Sequence, residues 1–240
     1  MPADVRPANT RFHTQLGWLD SWHSFSFSEH FDPQNTHHGL LLVLNDDVLA
    51  PGGGFGTHPH RDMEIVTWVL DGALAHRDSE GNEGVISPGI AQRMSAGRGI
   101  RHSEMNSSDT EPVHLLQMWV PPDTTGLPPG YEQRDVNDAM KDDTLFPLAS
   151  GREADTAITI HQRDATLWVA RLTAGARVTV PAAPFVHVFV ATGSAELAQA
   201  GALDAGDAVR LTDAGALDLV AGDEGAQIAI WETWSDLRLT

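Results

Sequence analysis

Along most of the chain, apolar and polar residues alternate with a period of two or gather into short apolar runs, and helical spacing is scarce. Trp22, Ser24, Ser26 and Ser28 alternate with His23, Phe25 and Phe27, which predicts a strand. The run from Gly39 to Leu49 predicts a buried strand, a turn and a second strand, and Pro51 to Gly54 predicts a loop. From His58 the alternation resumes through Leu70, Asp71-Gly72 signals a hairpin, and Ala73 to Ser79 returns. Val113 to Pro121 alternates cleanly, with Leu115, Gln117 and Trp119 on one side and His114, Leu116, Met118 and Val120 on the other. Short strands separated by Gly and Pro turns predict an all-β sandwich or barrel.

The rhythm stops between Pro121 and Ser150, where extended or looped segments and at most one helical turn are expected, and it resumes at Ile158. This divides the chain into a domain over residues 1–125, a linker over 126–150 and a second domain over 151–240. The two halves repeat one pattern. The segment Val66–His76 and the segment Val186–Leu197 read as two copies of the same element, which supports a duplicated β domain.

Composition narrows the function. The formal net charge is −18, from 33 acidic against 15 basic side chains, so the surface repels phosphate backbones and direct nucleic-acid binding is not expected. With no run of about 18 apolar residues and no apolar leader, neither a membrane span nor export is expected; a cytoplasmic protein is. Cysteine is absent, which removes disulfides, thiolate zinc sites and cysteine nucleophiles. No nucleophile elbow, phosphate loop, dinucleotide fingerprint or H-E-x-x-H occurs.

Against that background the 12 histidines matter. In a strand, His58 and His60 share a face, Asp62 and Glu64 extend it, and His102 shares a face with Glu104. Imidazole with carboxylate suits Fe, Mn, Ni, Cu or Zn, and an open position would admit substrate or O2. The glycines Gly52–Gly54, Gly97 and Gly99 allow backbone to approach closely and turn. Parity leaves Glu64 and Glu104 both open as the carboxylate. Gln117 and Trp119 share a face that could point at the metal. His37 and His38 could border the site or sit in a solvated loop; Trp18, Trp22 and Phe27 could line a pocket or pack in a core. Arg61 and Arg101 flank the histidines and could steer an anionic substrate. His161 and His187 stand alone, so the second half is expected to carry no metal site.

The spacing Gly52-x5-His58-x-His60-x3-Glu64, with a glycine at 72, resembles the first cupin motif. Gly99-x2-His102-x3-Asn106 resembles the second, with Gly97 where proline is usual. The wording THPHRDMEIVTWVLDGALAHRDSEGN and MSAGRGIRHSEMN resembles the pirin family, and NDDV, GWLDSWHSFSF and YEQR resemble its bacterial quercetin-dioxygenase-like branch. The resemblance implies two tandem cupin (jelly-roll-type) β-barrels, a bicupin, with one metal, most often described as iron, in the first. It implies His58, His60, His102 and Glu104 as ligands. Glu64 would then hydrogen-bond a histidine or the substrate. The implied activity is quercetin 2,3-dioxygenase-like oxidation of a small aromatic substrate by O2, with Glu104 or Glu64 accepting the flavonol hydroxyl proton and Gln117, Trp119 and His37 around the substrate. Fe(II) is the first expectation, with Mn, Ni, Cu and Zn as alternatives. The other reading the resemblance implies is a non-catalytic metal or redox sensor that binds a protein partner, as a transcriptional co-regulator does.

Overall fold

A computed structural model describes residues 3–153 and 155–237. In chain order the strands are β1 (Ala3–Arg6), β2 (Phe12–Gln15), β3 (Leu19–His23), β4 (Val43–Leu49), β5 (Gly54–His60), β6 (Glu64–Asp71), β7 (Leu74–Asp78), β8 (Glu83–Ile86), β9 (Ile90–Ser95) and β10 (Ile100–Asn106). They continue as β11 (Val113–Val120), β12 (Gly130–Asp135), β13 (Phe146–Ser150), β14 (Ile158–Thr159), β15 (Ala165–Leu172), β16 (Arg177–Val180), β17 (Phe185–Leu197), β18 (Gly201–Asp204), β19 (Ala208–Thr212) and β20 (Leu217–Thr233). One 3-10 turn, Ala8–Thr10, is the only helical element among the described residues. The all-β architecture expected from the alternation is what the chain adopts, in the two-part jelly-roll form that the resemblance implied.

The first domain is a sandwich of a seven-stranded sheet, ordered β12-β9-β6-β11-β4-β3-β2, and a four-stranded sheet, ordered β5-β10-β7-β8. The second domain is built on one nine-stranded sheet with the path β1-β19-β17-β20-β15-β13-β14. Asp71-Gly72 is not a hairpin turn. β6 and β7 lie in different sheets, and the chain crosses between them at Gly72 (φ +78°). In the second domain, β17 continues through Gly193 (φ +73°), with register shifts on either side, keeping β20 on one edge while its other neighbour changes from β19 to β18. The two copies noted in the sequence both turn on a glycine with positive φ, but only the first changes sheets; β17 stays paired with β20 on both sides of Gly193.

Several boundaries differ from the expected ones. Residues 126–150 are not a linker: β12 completes the edge of the first domain's sheet by pairing with β9, and β13 already belongs to the second domain. Between them, one turn closes with Met140 N–H donating to Val136 carbonyl at 2.7 Å. β1 lies in the second domain's sheet, paired with β19, although it precedes the first domain's strands in the chain. The alternation over Trp22–Ser28 is strand only to His23, because the following residues fold over as a loop in which Phe27 bridges His30. Val43–Leu49 is one strand rather than two, since Asn45, Asp46 and Asp47 all pair on both sides.

Alternation assigns the two faces of the seven-stranded sheet different tasks. Val66, Trp68, Leu116, Met118 and Val120 face the second domain and form one continuous core with Leu148, Leu167, Phe189 and Trp231. Trp231 Nε1–H donates to Met118 Sδ at 3.2 Å across this contact. Interdomain contacts are usually more polar than this. An apolar core shared by both halves makes them one packed unit. The opposite face looks into the first sandwich, where two separate apolar clusters close the ends: Leu49, Val69, Leu74, Ile86 and Leu115 at one, Ile65, Met94 and Ile100 at the other. Trp231→Ala is expected to destabilise the protein by about 3–5 kcal/mol, with both halves unfolding in a single denaturant transition. Two resolved transitions would contradict the shared core.

Candidate metal centre

The space between those two apolar ends is polar. Cross-strand register puts His23 opposite Asn45, Asn45 opposite Gln117, Gln117 opposite Thr67 and Thr67 opposite Gln92. All five are buried. His23 Nδ1 and Asn45 Oδ1 are 2.8 Å apart. A row of this kind costs stability unless its members find partners. It forms the floor beneath the histidines of the facing sheet.

Antiparallel pairing of β5 with β10 sets His58 directly opposite His102 and His60 opposite Ile100. A register shift between His102 and Glu104 follows. The β5 backbone lies so close to β10 that a Cβ on Gly54 would overlap the Glu104 carbonyl oxygen and come within 2.6 Å of Met105 Cα. Gly97, where the motif departs from proline, sits at φ +48° against the Leu127 carbonyl, a backbone angle closed to proline. The ligating atoms of His58, His60 and His102 all lie within 4.8 Å of one another. Two nitrogens bound to one ion are at most about 4.2 Å apart, so small side-chain rotations bring this triad around a metal.

The protonation states suit that role. Burial, reinforced by the neighbouring His58, pushes His60 down to about 4. Burial, with His58, His60 and His76 adding to it, pushes His102 down to about 2. Both imidazoles are neutral at physiological pH. His60 Nε2 and both His102 nitrogens are buried without a hydrogen-bond partner. His58 Nδ1–H donates to the Gly56 carbonyl at 2.7 Å, the tautomer that leaves Nε2 with its lone pair. Orphaned buried nitrogens are rare unless a metal or water satisfies them. The donor set therefore fits a divalent transition metal.

Glu104 lies behind this triad. It is within the same 4.8 Å limit of His102 and His76 rather than of His58 and His60. Burial pushes its carboxyl up to about 7, partly offset by the 2.7 Å bond from Gln117 Nε2–H. Trp119 Nε1–H donates to Gln117 Oε1 at 3.1 Å, holding that amide in place. Trp119 also packs edge-on against His60 at 4.8 Å. Burial likewise raises Asp47 to about 7, with Ser21 hydrogen-bonded to it. The interior thus holds two carboxyls poised between charged and neutral.

A cavity of about 330 Å³ opens in front of the triad. Trp18, Phe27, Phe55 and Trp119 wall it, with Gln117 and Glu104 at its base. Gln117 and Trp119 are where the sequence put them. Of the aromatic candidates, Trp18 and Phe27 line the cavity, whereas Trp22 stacks on His13 outside it. Arg61 and Arg101 line a separate shallow cleft on the far side of His60. Met105 is partly exposed, as parity predicts.

Three expectations fail. Glu64 is not at the histidines. It accepts a 2.7 Å bond from Ser95 Oγ–H and a 3.1 Å bond from the His161 backbone N–H, at the contact with the second domain. The shared face assumed for His58 through Glu64 is broken by Arg61–Met63, where β5 ends and Asp62 takes φ +47°. Asp62 instead accepts a 2.6 Å bond from Gly126 N–H. His37 does not line the cavity; its Nε2 lies 3.4 Å from Asp236 near the end of the chain. His38 is also elsewhere, beside the Leu211 carbonyl at 3.0 Å.

His76 was not visible in the sequence. It is opposite Glu104 in the β10–β7 register, stacks on Tyr131 at 4.8 Å and lies 5.3 Å from His102. Its only signal is its place in an alternating strand, because no spacing motif connects β7 to the histidines of β5 and β10. His23 and Asn45 were equally silent.

A model of the pirin family matches residues 5–120, and one described as a quercetinase C-terminal cupin domain matches residues 147–230. A Mycobacterium tuberculosis protein with the provisional name quercetin 2,3-dioxygenase is 56% identical over 235 residues, covering 98% of this chain and 96% of that one. The chain belongs to the pirin family. A quercetin 2,3-dioxygenase of Escherichia coli is 49% identical over 158 residues, 66% of this chain and 67% of that one. The crystal structure of the bacterial pirin YhhW from Escherichia coli in complex with nickel(II) matches with a TM-score of 0.88 at 37% identity, covering 98% of this chain and 100% of that one.

Two measurements separate the carboxylates. His60→Ala is expected to lose stoichiometric metal in elemental analysis, whereas Glu64→Gln keeps it and lowers thermal stability through the domain contact. Loss of metal in Glu64→Gln would return that residue to the site. With its carboxyl raised to about 7, Glu104 would have to ionise in order to ligate, so if it is a ligand, metal uptake at pH 6.5 is expected to release about three-quarters of a proton more from the native chain than from Glu104→Gln. That difference should vanish by pH 8.5, where Glu104 is already charged. Calorimetric titration in buffers of different ionisation enthalpy measures it.

Proposed function

We propose that this pirin-family protein is a metal-dependent dioxygenase of quercetin-like flavonols or a related enolic aromatic substrate. The observation that carries the reading is the convergence of three imidazoles and a buried carboxyl at the base of an aromatic-walled cavity. The quercetin dioxygenase names of its relatives and the nickel(II) complex of a similar pirin support it. His58, His60, His102 and Glu104 would hold one divalent metal, with Fe(II) first among the candidates. When bound, such a metal supplies Lewis acidity toward the enolic oxygen and the redox capacity that reaction with O2 requires.

The chain's own groups do the rest. Trp18, Phe27, Phe55 and Trp119 bury the flat rings of the substrate and exclude water from the reacting edge. Glu104, at the base of the cavity and oriented by Gln117, is the group placed to accept the enolic proton. Gln117 holds one Glu104 oxygen, and Trp119 holds Gln117, so the carboxylate keeps its orientation as its charge changes.

The test is O2 uptake and carbon monoxide release by anaerobically metal-loaded protein given quercetin. Turnover is expected from the native chain, and Glu104→Gln is expected to lower kcat by about 10²–10⁴-fold. A sample that holds stoichiometric metal and consumes no O2 with quercetin or other flavonols would sink the reading.

A further inference from the structure

Away from the metal centre, the domain contact contains a second set of buried polar groups. His187 of β17 and Arg210 of β19 are cross-strand partners, so their side chains share one face of the second domain's sheet. Both are buried, at 1% and 6% exposure. Phe25 of the first domain lies over them, 4.3 Å from the Arg210 guanidinium and 5.5 Å from the His187 ring. A small cavity of about 20 Å³ sits here, lined by Arg6, Arg11, Ser24, Asn35, His187 and Arg210 among others. That volume holds one water-sized particle.

The polar atoms around it are incompletely matched. Arg210 Nη2–H donates to the Ser24 carbonyl at 2.9 Å and to Asn35 Oδ1 at 2.6 Å, but Arg210 Nε has no partner. Both His187 nitrogens and Ser24 Oγ also have none. The charges are unbalanced as well. Arg11 is paired with Asp46 at 3.0 Å and Arg6 with Asp4 at 2.7 Å. Asp4 stands opposite Arg210 in the β1–β19 register, but it is largely exposed and held by Arg6. No carboxylate forms an ion pair with Arg210 among the described residues. Burial lowers the Arg210 pKa to about 10, which still leaves it charged. A buried guanidinium without a counter-charge is costly, and a water would supply a hydrogen bond but not the charge.

We propose that this cavity is a binding site for one small monovalent anion, chloride under ordinary solution conditions, received by Arg210, His187 and Ser24. The excess of a single positive charge matches one monovalent ion. The size of the cavity admits a halide and not a phosphate or carboxylate. Ser24 comes from the first domain and His187 and Arg210 from the second, so the ion fastens the two together. The site is independent of the metal centre.

The test combines a crystal of the full chain grown in sodium bromide with thermal unfolding of the metal-loaded protein in sodium chloride against sodium gluconate at constant ionic strength. An anomalous bromide peak bounded by Ser24, His187 and Arg210 is expected. So is a Tm that rises by about 3–5 °C per tenfold increase in chloride above its dissociation constant. Arg210→Met should erase the chloride dependence. Should that variant not fold, Ser24→Ala serves in its place, and its titration should move to higher chloride. A cavity without anomalous signal, equal Tm values in chloride and gluconate, or an unchanged titration in the variant that folds overturns the proposal.

Discussion

The antiparallel register of β5 on β10 is the constraint on which the rest of the first domain depends. It fixes His58 against His102 and leaves His60 one step along the same face. Side chains in a sheet alternate strictly, so a slip of one residue would send the imidazoles to the outside. Gly54 permits the close approach where it faces Met105, and at that same end the Asn106 side chain, donating to the carbonyls of Leu49, Ala50 and Glu111, ties the strand down. The site is therefore held by backbone pairing rather than by the histidines themselves, which have few partners of their own.

Placing such a site inside a sandwich requires a compromise in the core. Two modest apolar clusters close the ends, and a polar row spans the middle. The first domain recovers apolar burial on its other face, where Val66, Trp68, Leu116 and Met118 pack against the second domain. This gives the second half a physical task. It supplies the large core that the first half cannot build around its own polar interior. Glu64 belongs to that task. With Ser95, Arg93 and Glu132 it forms a hydrogen-bonded chain that meets the backbone of Thr159 and His161.

Burial has opposite consequences for the two kinds of titratable group in the interior. It keeps His60 and His102 neutral and so ready to ligate without losing a proton, and it raises Glu104 and Asp47 toward neutrality. One low-dielectric environment thus keeps the imidazoles neutral and the carboxyls close to neutrality. Gln117 and Trp119 orient the Glu104 carboxyl while also forming part of the cavity wall.

Period-two alternation determined the all-β class, and the segments that turn on Gly72 and Gly193 were legible as an internal repeat. The pairs His58 with His60 and His102 with Glu104 were legible for the same reason: parity is a local property of a single strand. Parity failed where a strand ended. Three residues of turn separated Glu64 from the histidines, and no local rule shows that the chain enters another sheet there. His76, His23 and Asn45 reach the interior only through cross-strand register, a relation between distant segments. The destinations of β1 and β12 were hidden likewise, since alternation says that a segment is a strand and not which edge it joins. The sequence alone determined which side chains could share a face. Only the tertiary structure decided which faces meet, because that depends on long-range pairing and on where each half buries its apolar surface.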